Sequence, residues 1–225
     1  MRILVTGGAG FIGSHIVEHF QGKAAHAGVK KLCFSSSAAV YGDNPAVPKC
    51  ETMIPEPKSP YAITKLDGEY YCAMFASENK LPTVCLRYFN VFGPRQDPGS
   101  AYAAAIPIFV SQAVANDPVT IFGDGGQTRD FIFVKDIVAA NVFMAQNDFS
   151  GVYNAAYGKK ITINDLAKLI IDITGSSSKI VYQEERPGDI KHSMAAIDKL
   201  LATGFTAGSD FNEGMKKTVQ FFQGN

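Results

Sequence analysis

Three glycines between two apolar segments constrain the fold of this chain most strongly. Ile3-Leu4-Val5 predicts a strand, Gly7, Gly10 and Gly13 follow at three-residue spacing, and Ser14–Phe20 predicts a helix. Glycine lets the backbone turn tightly and approach a ligand, while free N–H groups at a helix start attract anions. In this position, the motif predicts a parallel α/β sheet that binds the pyrophosphate of a dinucleotide.

Composition favours small-molecule chemistry over other functions. The chain has 225 residues with 21 basic and 21 acidic side chains, so it shows neither a nucleic-acid footprint nor a polybasic membrane surface. No apolar run has the length of a membrane span, and no signal peptide precedes the first strand. The four cysteines show no Cys-x-x-Cys spacing, which indicates reduced thiols. We therefore expect a cytoplasmic protein that binds neither nucleic acid nor membranes.

The histidine spacing does not predict a metal site. His15 and His19 are four residues apart in the predicted first helix, but the intervening residues do not match a zinc-protease motif. This spacing is more typical of a helix surface.

A tyrosine and a lysine stand four residues apart at a second helix start. Ser59 can cap this helix and Pro60 suits its first position, which places Tyr61 and Lys65 on one face. A nearby ammonium favours the phenolate form of a tyrosine, so the pair suits acid/base chemistry. By itself, such a pair is also typical of an ordinary helix surface. Ile63, Leu66, Tyr70 and Met74 have the spacing of a packing face.

Serines follow the predicted strand Leu32–Phe34, at the end where parallel sheets bind ligands. The run at 35–42 is Ser-Ser-Ser-Ala-Ala-Val-Tyr-Gly. A serine triplet alone is typical of a turn. Together with the glycine motif and Pro60-Tyr61-x-x-x-Lys65, however, the run resembles the extended short-chain dehydrogenase/reductases, and within them the UDP-glucose 4-epimerase group. The Tyr-Phe-Asn at 88–90 resembles this group too.

The resemblance implies NAD-dependent epimerisation at C4 of a UDP-hexose through a 4-keto sugar, an isomerase reaction of galactose metabolism. It implies that Ser37 and Tyr61 bind the C4 hydroxyl and that Lys65 binds the nicotinamide ribose. The implied cofactor contacts are Gly7, Gly10, Phe11, Ile12, Gly13, Ser35, Tyr61, Lys65, Tyr88 and Phe89. The implied substrate contacts are Ser37, Asn90, Gln127, Arg129, Arg186, Asp189 and Ser193.

Two arginines fit the diphosphate of such a substrate, because the guanidinium fork matches phosphate oxygens. They are Arg129, beyond a glycine-rich turn, and Arg186. The resemblance places Asp189 on the uridine ribose and Ser193 at the sugar pocket. A small residue at 193 leaves room for a 2-acetamido group, so UDP-GlcNAc and UDP-GalNAc are candidate substrates beside UDP-Glc and UDP-Gal.

The related 4,6-dehydratases carry Asp-Glu after the catalytic hydroxyl, whereas this chain has Ala38-Ala39. This difference disfavours dehydration.

Part of the expected sheet is missing from the sequence. A dinucleotide fold has an acidic residue for the adenosine ribose about 20 residues after the glycines, but residues 22–31 lead directly into the serine strand. With βαβ units of 30 or more residues, about 60–90 residues are absent, and the junction falls near Lys23. The shortening makes Ile3–Val5 an edge strand, weakens NAD binding and leaves mainly the Tyr61 helix for a homodimer.

We expect an α/β fold: a shortened, doubly wound Rossmann-type parallel sheet with a smaller C-terminal substrate-binding α/β region. Residues 1–95 form the NAD-binding part, shortened near 22–26, and 96–225 form mainly the UDP-sugar part, with 119–154 returning a strand and helix to the core. Further helices are predicted at Asp136–Gln146, Ile163–Thr174 and Phe211–Phe222. Further strands are predicted at Thr83–Leu86, Phe131–Val134 and Val152–Asn154.

Three interpretations of the shortened chain remain open. The first is an epimerase whose printed sequence lacks a segment, and the second is a genuine deletion that binds nucleotide-sugar or NAD without turnover. Retention of NAD through purification separates these two. The third is another nucleotide-sugar enzyme of the superfamily, such as a decarboxylase or reductase, against which Ala38-Ala39 argues.

Overall fold

A computed structural model gives the fold and describes residues 11, 12, 15, 30–78, 81–99, 104–186 and 190–224. Its helical elements are a 3-10 helix Ala38–Tyr41, α1 Pro60–Ser77, α2 Ala105–Val114, α3 Val134–Gln146, α4 Ile163–Thr174, α5 Asp198–Leu201 and α6 Phe211–Gln223. Its strands are β1 Leu32–Ser37, β2 Thr83–Tyr88, β3 Asn90–Phe92, β4 Val119–Phe122, β5 Thr128–Phe133, β6 Gly151–Ala155, β7 Lys160–Thr162 and β8 Ile180–Gln183.

The strands β1, β2 and β6 form a parallel sheet with β2 in the centre. All residues of β2 are buried, as expected for a strand that is covered on both faces. Ser36 bonds Glu69 of α1, whereas Tyr88, at the next register level, bonds Asn141 of α3. Because adjacent register levels point to opposite faces, α1 and α3 cover opposite sides of the sheet. The predicted Rossmann-type α/β fold is confirmed.

The remaining strands form two smaller groups. β5 pairs in parallel with β3 and antiparallel with β7, while β4 pairs in parallel with β8. The helices α2, α4 and α6 supply fully buried residues to the apolar core beside these strands, among them Ile106, Leu166 and Met215.

The start of α1 follows the prediction, but its packing face does not. Ser59 is the N-cap, with its Oγ accepting a hydrogen bond from the Ala62 N–H at 3.2 Å, and Pro60 opens the helix. Leu66 is buried as predicted. The other three residues of the predicted packing face, Ile63, Tyr70 and Met74, are exposed, so this part of the prediction is wrong. The helix instead buries Ala62, Leu66, Glu69 and Cys72. Glu69 can be buried because its carboxylate is hydrogen-bonded to Arg87 of β2.

Other predicted elements agree closely with the structure. α4 spans the predicted Ile163–Thr174, and Thr162 Oγ1 accepts from the Asp165 N–H at 3.0 Å, as the predicted N-terminal box requires. α3 begins at Val134, two residues before the predicted start, and takes over the end of the predicted strand at 131–134. The predicted first strand and the three glycines of the loop lie outside the described residues.

Side chains occupy the outer edge of β6. Glu51 Oε1 accepts a hydrogen bond from the Asn154 N–H at 2.8 Å, and Lys199 Nζ donates to the Val152 carbonyl oxygen at 2.7 Å. Both backbone groups point away from β2, because Val152 and Asn154 share an orientation along the strand. These two groups are therefore unavailable to another strand.

All four cysteines are free, and Cys72 and Cys85 are buried. His15 is also buried, where its Nε2 forms a 3.0 Å hydrogen bond with the Pro94 carbonyl oxygen, so the predicted surface position is wrong. Across the described ranges, no helix is both long and apolar enough to cross a membrane.

The cap of α1 gives a prediction for stability. Replacing Ser59 by Ala leaves a helix N–H without its acceptor, and we expect the free energy of unfolding to fall by about 1 kcal/mol in urea denaturation. Ser77→Ala, at the exposed other end of α1, is the matched control and should change it by less than about 0.5 kcal/mol. Equal losses in the two variants would contradict the capping role.

Candidate active site

Lys65 and Tyr61 lie beside the carboxyl end of β1. Lys65 Nζ donates a 2.8 Å hydrogen bond to the Ser35 carbonyl oxygen and lies 5.5 Å from the centroid of the Tyr61 ring. Burial lowers the pKa of the Lys65 ammonium from its ordinary value. Tyr61 is 55% exposed, so a bound molecule can reach it. An ammonium and an accessible phenol thus stand together at the sheet end where α/β folds bind ligands.

The three serines at the end of β1 have different partners. Ser36 is buried and its Oγ donates to the Glu69 carboxylate, whereas Ser35 Oγ shares a 3.0 Å hydrogen bond with the Tyr88 hydroxyl. Ser37 caps the 3-10 helix, where its Oγ accepts from the backbone N–H two residues on at 3.2 Å. Because this bond uses an oxygen lone pair, the Ser37 hydroxyl hydrogen remains for donation to a ligand.

Tyr88 and Phe89, both predicted cofactor contacts, have buried side chains. Asn141 Nδ2 donates to the Tyr88 hydroxyl at 2.7 Å. Burial raises the pKa of Tyr88 to about 12, against the opposing effect of its hydrogen bonds to Ser35 and Asn141, so this phenol stays neutral. Phe89 packs in the apolar cluster around Tyr41, with 6.3 Å between the ring centroids.

Asn90 leads from the sheet to a buried carboxylate. Its Nδ2 donates to the Asp130 carbonyl oxygen at 3.0 Å, and the Asp130 side chain is fully buried. Asp130 Oδ1 accepts from the N–H groups of Tyr157 and Gly158 at 3.1 and 3.2 Å, and Oδ2 accepts from the Ala195 N–H at 3.2 Å. One carboxylate therefore joins β5 to the segment after β6 and to the segment after residue 193.

The start of β5 brings Arg129 and Ser193 together. The Thr128 carbonyl oxygen accepts from Arg129 Nη1 at 3.0 Å and from the Ser193 N–H at 3.1 Å. The Thr128 hydroxyl lies 3.1 Å from His192 Nδ1. The segment that carries Ser193 is thus fixed beside the strand that carries Arg129.

Gln127 and Arg186 both contact Phe122 at the end of β4. Gln127 Nε2 donates to the Phe122 carbonyl oxygen at 2.7 Å, and the Arg186 guanidinium lies 3.8 Å from the centroid of the Phe122 ring. The predicted diphosphate contacts Arg129 and Arg186 consequently lie at the start of β5 and at the end of β4.

Several predicted site residues lie outside the described residues: Gly7, Gly10, Gly13 and Asp189. Phe11 and Ile12 are described and pack against the apolar core.

A row of buried polar residues beneath the serines escaped the sequence analysis. Arg87 forms two hydrogen bonds with Glu69, its guanidinium lies 4.7 Å from the centroid of the Tyr41 ring, and the Tyr41 hydroxyl donates to Asn154 Oδ1 at 2.6 Å. The signal that could have indicated this row is the spacing of Tyr61, Lys65 and Glu69, which lie at i, i+4 and i+8 of α1.

A parallel sheet with an exposed tyrosine and a lysine at the carboxyl end of β1 defines an α/β protein of the short-chain dehydrogenase/reductase type. The chain belongs to the NAD dependent epimerase/dehydratase family, whose model matches residues 23–156, more than half of its length. The family is thus the one that the sequence motifs resemble.

Relatives within the family include nucleotide-sugar epimerases. A putative UDP-glucose 4-epimerase of Methanocaldococcus jannaschii is 35% identical over 88% of this chain and 64% of its own length. The solved UDP-N-acetylglucosamine 4-epimerase of Methanobrevibacter ruminantium M1 is 48% identical, with a TM-score of 0.83 over 86% of this chain and 63% of that one. The UDP-glucose 4-epimerase of Thermotoga maritima is 31% identical, with a TM-score of 0.91 over 100% of this chain and 99% of that one.

The chain therefore spans slightly less than two thirds of the length of the curated Methanocaldococcus relative.

The buried carboxylate of Asp130 gives a prediction for pH dependence. Burial raises its pKa to about 6, against the opposing effect of the N–H groups of Ala195, Tyr157 and Gly158, while the ordinary value is 3.8. Because the folded state binds this proton more tightly, the stabilising contribution is complete below about pH 4. It is lost as the pH rises through about 6, by roughly 3 kcal/mol.

Urea denaturation of the wild type and Asp130→Asn between pH 4.5 and 7.5 measures this contribution. We expect the unfolding free energy of the wild type, relative to the variant, to fall as the pH rises. Any loss of hydrogen bonds in the amide variant shifts the difference without changing its slope. A difference that stays constant or rises with pH would show that Asp130 does not titrate in this range.

Proposed function

We propose that this protein catalyses NAD-dependent epimerisation at C4 of a UDP-hexose. The observation that carries the proposal is the placement of Tyr61 and Lys65 at the carboxyl end of β1, the strand whose last residue is Ser37. Family membership and the epimerases among the relatives support the same reaction.

The residues at this sheet end fit the nicotinamide ribose of NAD. An ammonium has three N–H donors. The Ser35 carbonyl oxygen accepts a hydrogen bond from one N–H of Lys65, which leaves two for ribose hydroxyls. NAD, when bound, supplies the hydride acceptor and donor of the reaction. The adenosine end of NAD has fewer candidate contacts, since the sequence contains no Asp or Glu between Glu18 and Asp43 to bind the adenosine ribose.

The protein's own groups would handle the proton of the C4 hydroxyl. Tyr61 is accessible and lies beside the Lys65 ammonium, so it can accept this proton as a phenolate and return it later. Ser37, with its hydroxyl hydrogen free to donate, would orient the sugar oxygen. Ala38 and Ala39 follow it in the 3-10 helix, where no carboxylate stands to drive elimination.

The nucleotide part of the substrate would bind at the start of β5 and the end of β4. Arg129 and Arg186 supply guanidinium groups for the diphosphate, and Asn90 and Gln127 supply amides. Asp189 would bind the uridine ribose. The four free cysteines support the further proposal of a cytoplasmic setting. The exposed apolar residues Tyr70, Tyr71, Met74 and Phe75 of α1 support the further proposal of a homodimer.

Replacing Tyr61 by Phe removes the proton acceptor, and we expect turnover of UDP-galactose with added NAD to fall by about 100-fold or more. Tyr70→Phe, an equally conservative change at an exposed position nine residues further along α1, is the matched control and should keep full activity. Formation of UDP-glucose is followed by NMR.

Undiminished activity in Tyr61→Phe would refute the catalytic assignment. Binding of UDP-galactose by a wild type that shows no turnover with NAD would instead favour a nucleotide-sugar binding module.

Ser193 gives a prediction for substrate range. A small residue leaves space for a 2-acetamido group, so the wild type should convert UDP-GlcNAc and UDP-GalNAc as well as UDP-Glc and UDP-Gal. Ser193→Tyr should lower turnover of the N-acetylated pair by at least about 10-fold relative to the other pair. Activity on UDP-galactose is the internal control for folding. A wild type active on UDP-galactose and inactive on both N-acetylated sugars would exclude this role of Ser193.

A further inference from the structure

Lys65 and Glu69 stand one helical turn apart, a spacing at which opposite charges on a helix normally attract each other, with Cβ atoms about 5–6 Å apart. The structure shows a different arrangement. Lys65 Nζ donates to the neutral carbonyl oxygen of Ser35, and in the described part of the chain no carboxylate lies within ion-pair distance of it. The Glu69 carboxylate has other partners.

Arg87 and Ser36 both donate hydrogen bonds to the Glu69 carboxylate. Arg87 Nε donates to Glu69 Oε1 at 2.8 Å and Nη2 to Oε2 at 2.7 Å, while Ser36 Oγ also donates to Oε1. All three side chains are buried. A bidentate guanidinium has the geometry that a carboxylate binds best, so Glu69 pairs with Arg87 and not with Lys65.

The position of Arg87 is fixed from the opposite side. The Tyr41 ring covers its guanidinium, and the Tyr41 hydroxyl is held by Asn154, which pairs in register with Arg87 on β6. Cys72 and Cys85 also face Glu69, but burial raises the pKa of both thiols, so they remain neutral. Arg87 is thus the cation that faces Glu69 from the packed strands.

We propose that Arg87 is a positioning residue for the active site: by holding the Glu69 carboxylate, it leaves the Lys65 ammonium directed at the carboxyl end of β1. Without Arg87, the buried carboxylate would take Lys65 as its partner and draw the ammonium away from Tyr61. The functional consequence rests on the proposed role of Lys65, whereas the charge competition itself does not depend on turnover.

The test measures how readily Lys65 reacts with acetic anhydride as a function of pH, site by site, by mass spectrometry. The exposed Lys58 of the same protein is the internal standard. In Arg87→Met, the Lys65 ammonium should pair with the Glu69 carboxylate. This pairing should raise the pH at which Lys65 becomes reactive by about one unit or more. Arg87→Lys, which keeps the charge, should behave like the wild type.

Glu69→Gln and the double variant Glu69→Gln/Arg87→Met separate this competition from simple loosening of α1. Both remove the carboxylate, so neither should raise the reactive pH of Lys65. If loosening alone exposed Lys65, these variants would raise it as much as Arg87→Met does, and the proposal would fall. An unchanged profile in Arg87→Met would also overturn it.

Two further measurements keep the result interpretable. Ile170→Ala, a buried residue of α4 in a separate apolar core, controls for general destabilisation, and Arg87→Gln replaces Arg87→Met if the latter does not fold. Because labelling needs no substrate, an inactive wild type would refute the proposed function while leaving this test intact.

Discussion

The ion pair between Glu69 and Arg87 is the interaction on which one face of the parallel sheet depends. Its side chains are only 5% and 4% exposed, and taking two ions out of water costs several kcal/mol each unless they are well paired. Removing a single partner of such a pair costs about 3–5 kcal/mol, although replacing both by apolar groups is often neutral. The pair therefore contributes more to a defined arrangement than to net stability. Because the Glu69 side chain points inward, the rotation of α1 about its own axis is fixed. This rotation leaves Tyr61 exposed and places Lys65 at the carboxyl end of β1.

A second buried carboxylate organises the other part of the candidate site. Asp130 accepts hydrogen bonds from backbone N–H groups of two distant segments, one after β6 and one around residue 195. Backbone donors do not vary with the side chain, so this arrangement leaves neighbouring residues free to differ. Arg129 precedes Asp130 on β5 and Ser193 lies two residues before Ala195, and both donate to the Thr128 carbonyl oxygen. The sugar contact proposed for Ser193 and the diphosphate contact proposed for Arg129 would thus depend on the Asp130 carboxylate, which is not itself a proposed substrate contact.

Local signals explain what could be predicted from the sequence. Ser59 and Thr162 are the N-caps of α1 and α4, and their side chains accept hydrogen bonds from N–H groups three residues on, so nearby residues determine where these helices start. By contrast, α2 follows Ala104, which offers no side-chain cap, and the three-residue strands β3 and β7 exist only through pairing with β5. Glu69 was missed for a related reason: a charged residue is normally assigned to a surface, and only its distant partner Arg87 makes its burial possible.

The occupied edge of β6 limits how this flank of the parallel sheet can associate with other chains. Glu51 and Lys199 take two outward-pointing backbone groups of this strand. An additional strand would have to break two side-chain contacts to join at β6. Lateral association of partly folded molecules through this flank is therefore disfavoured.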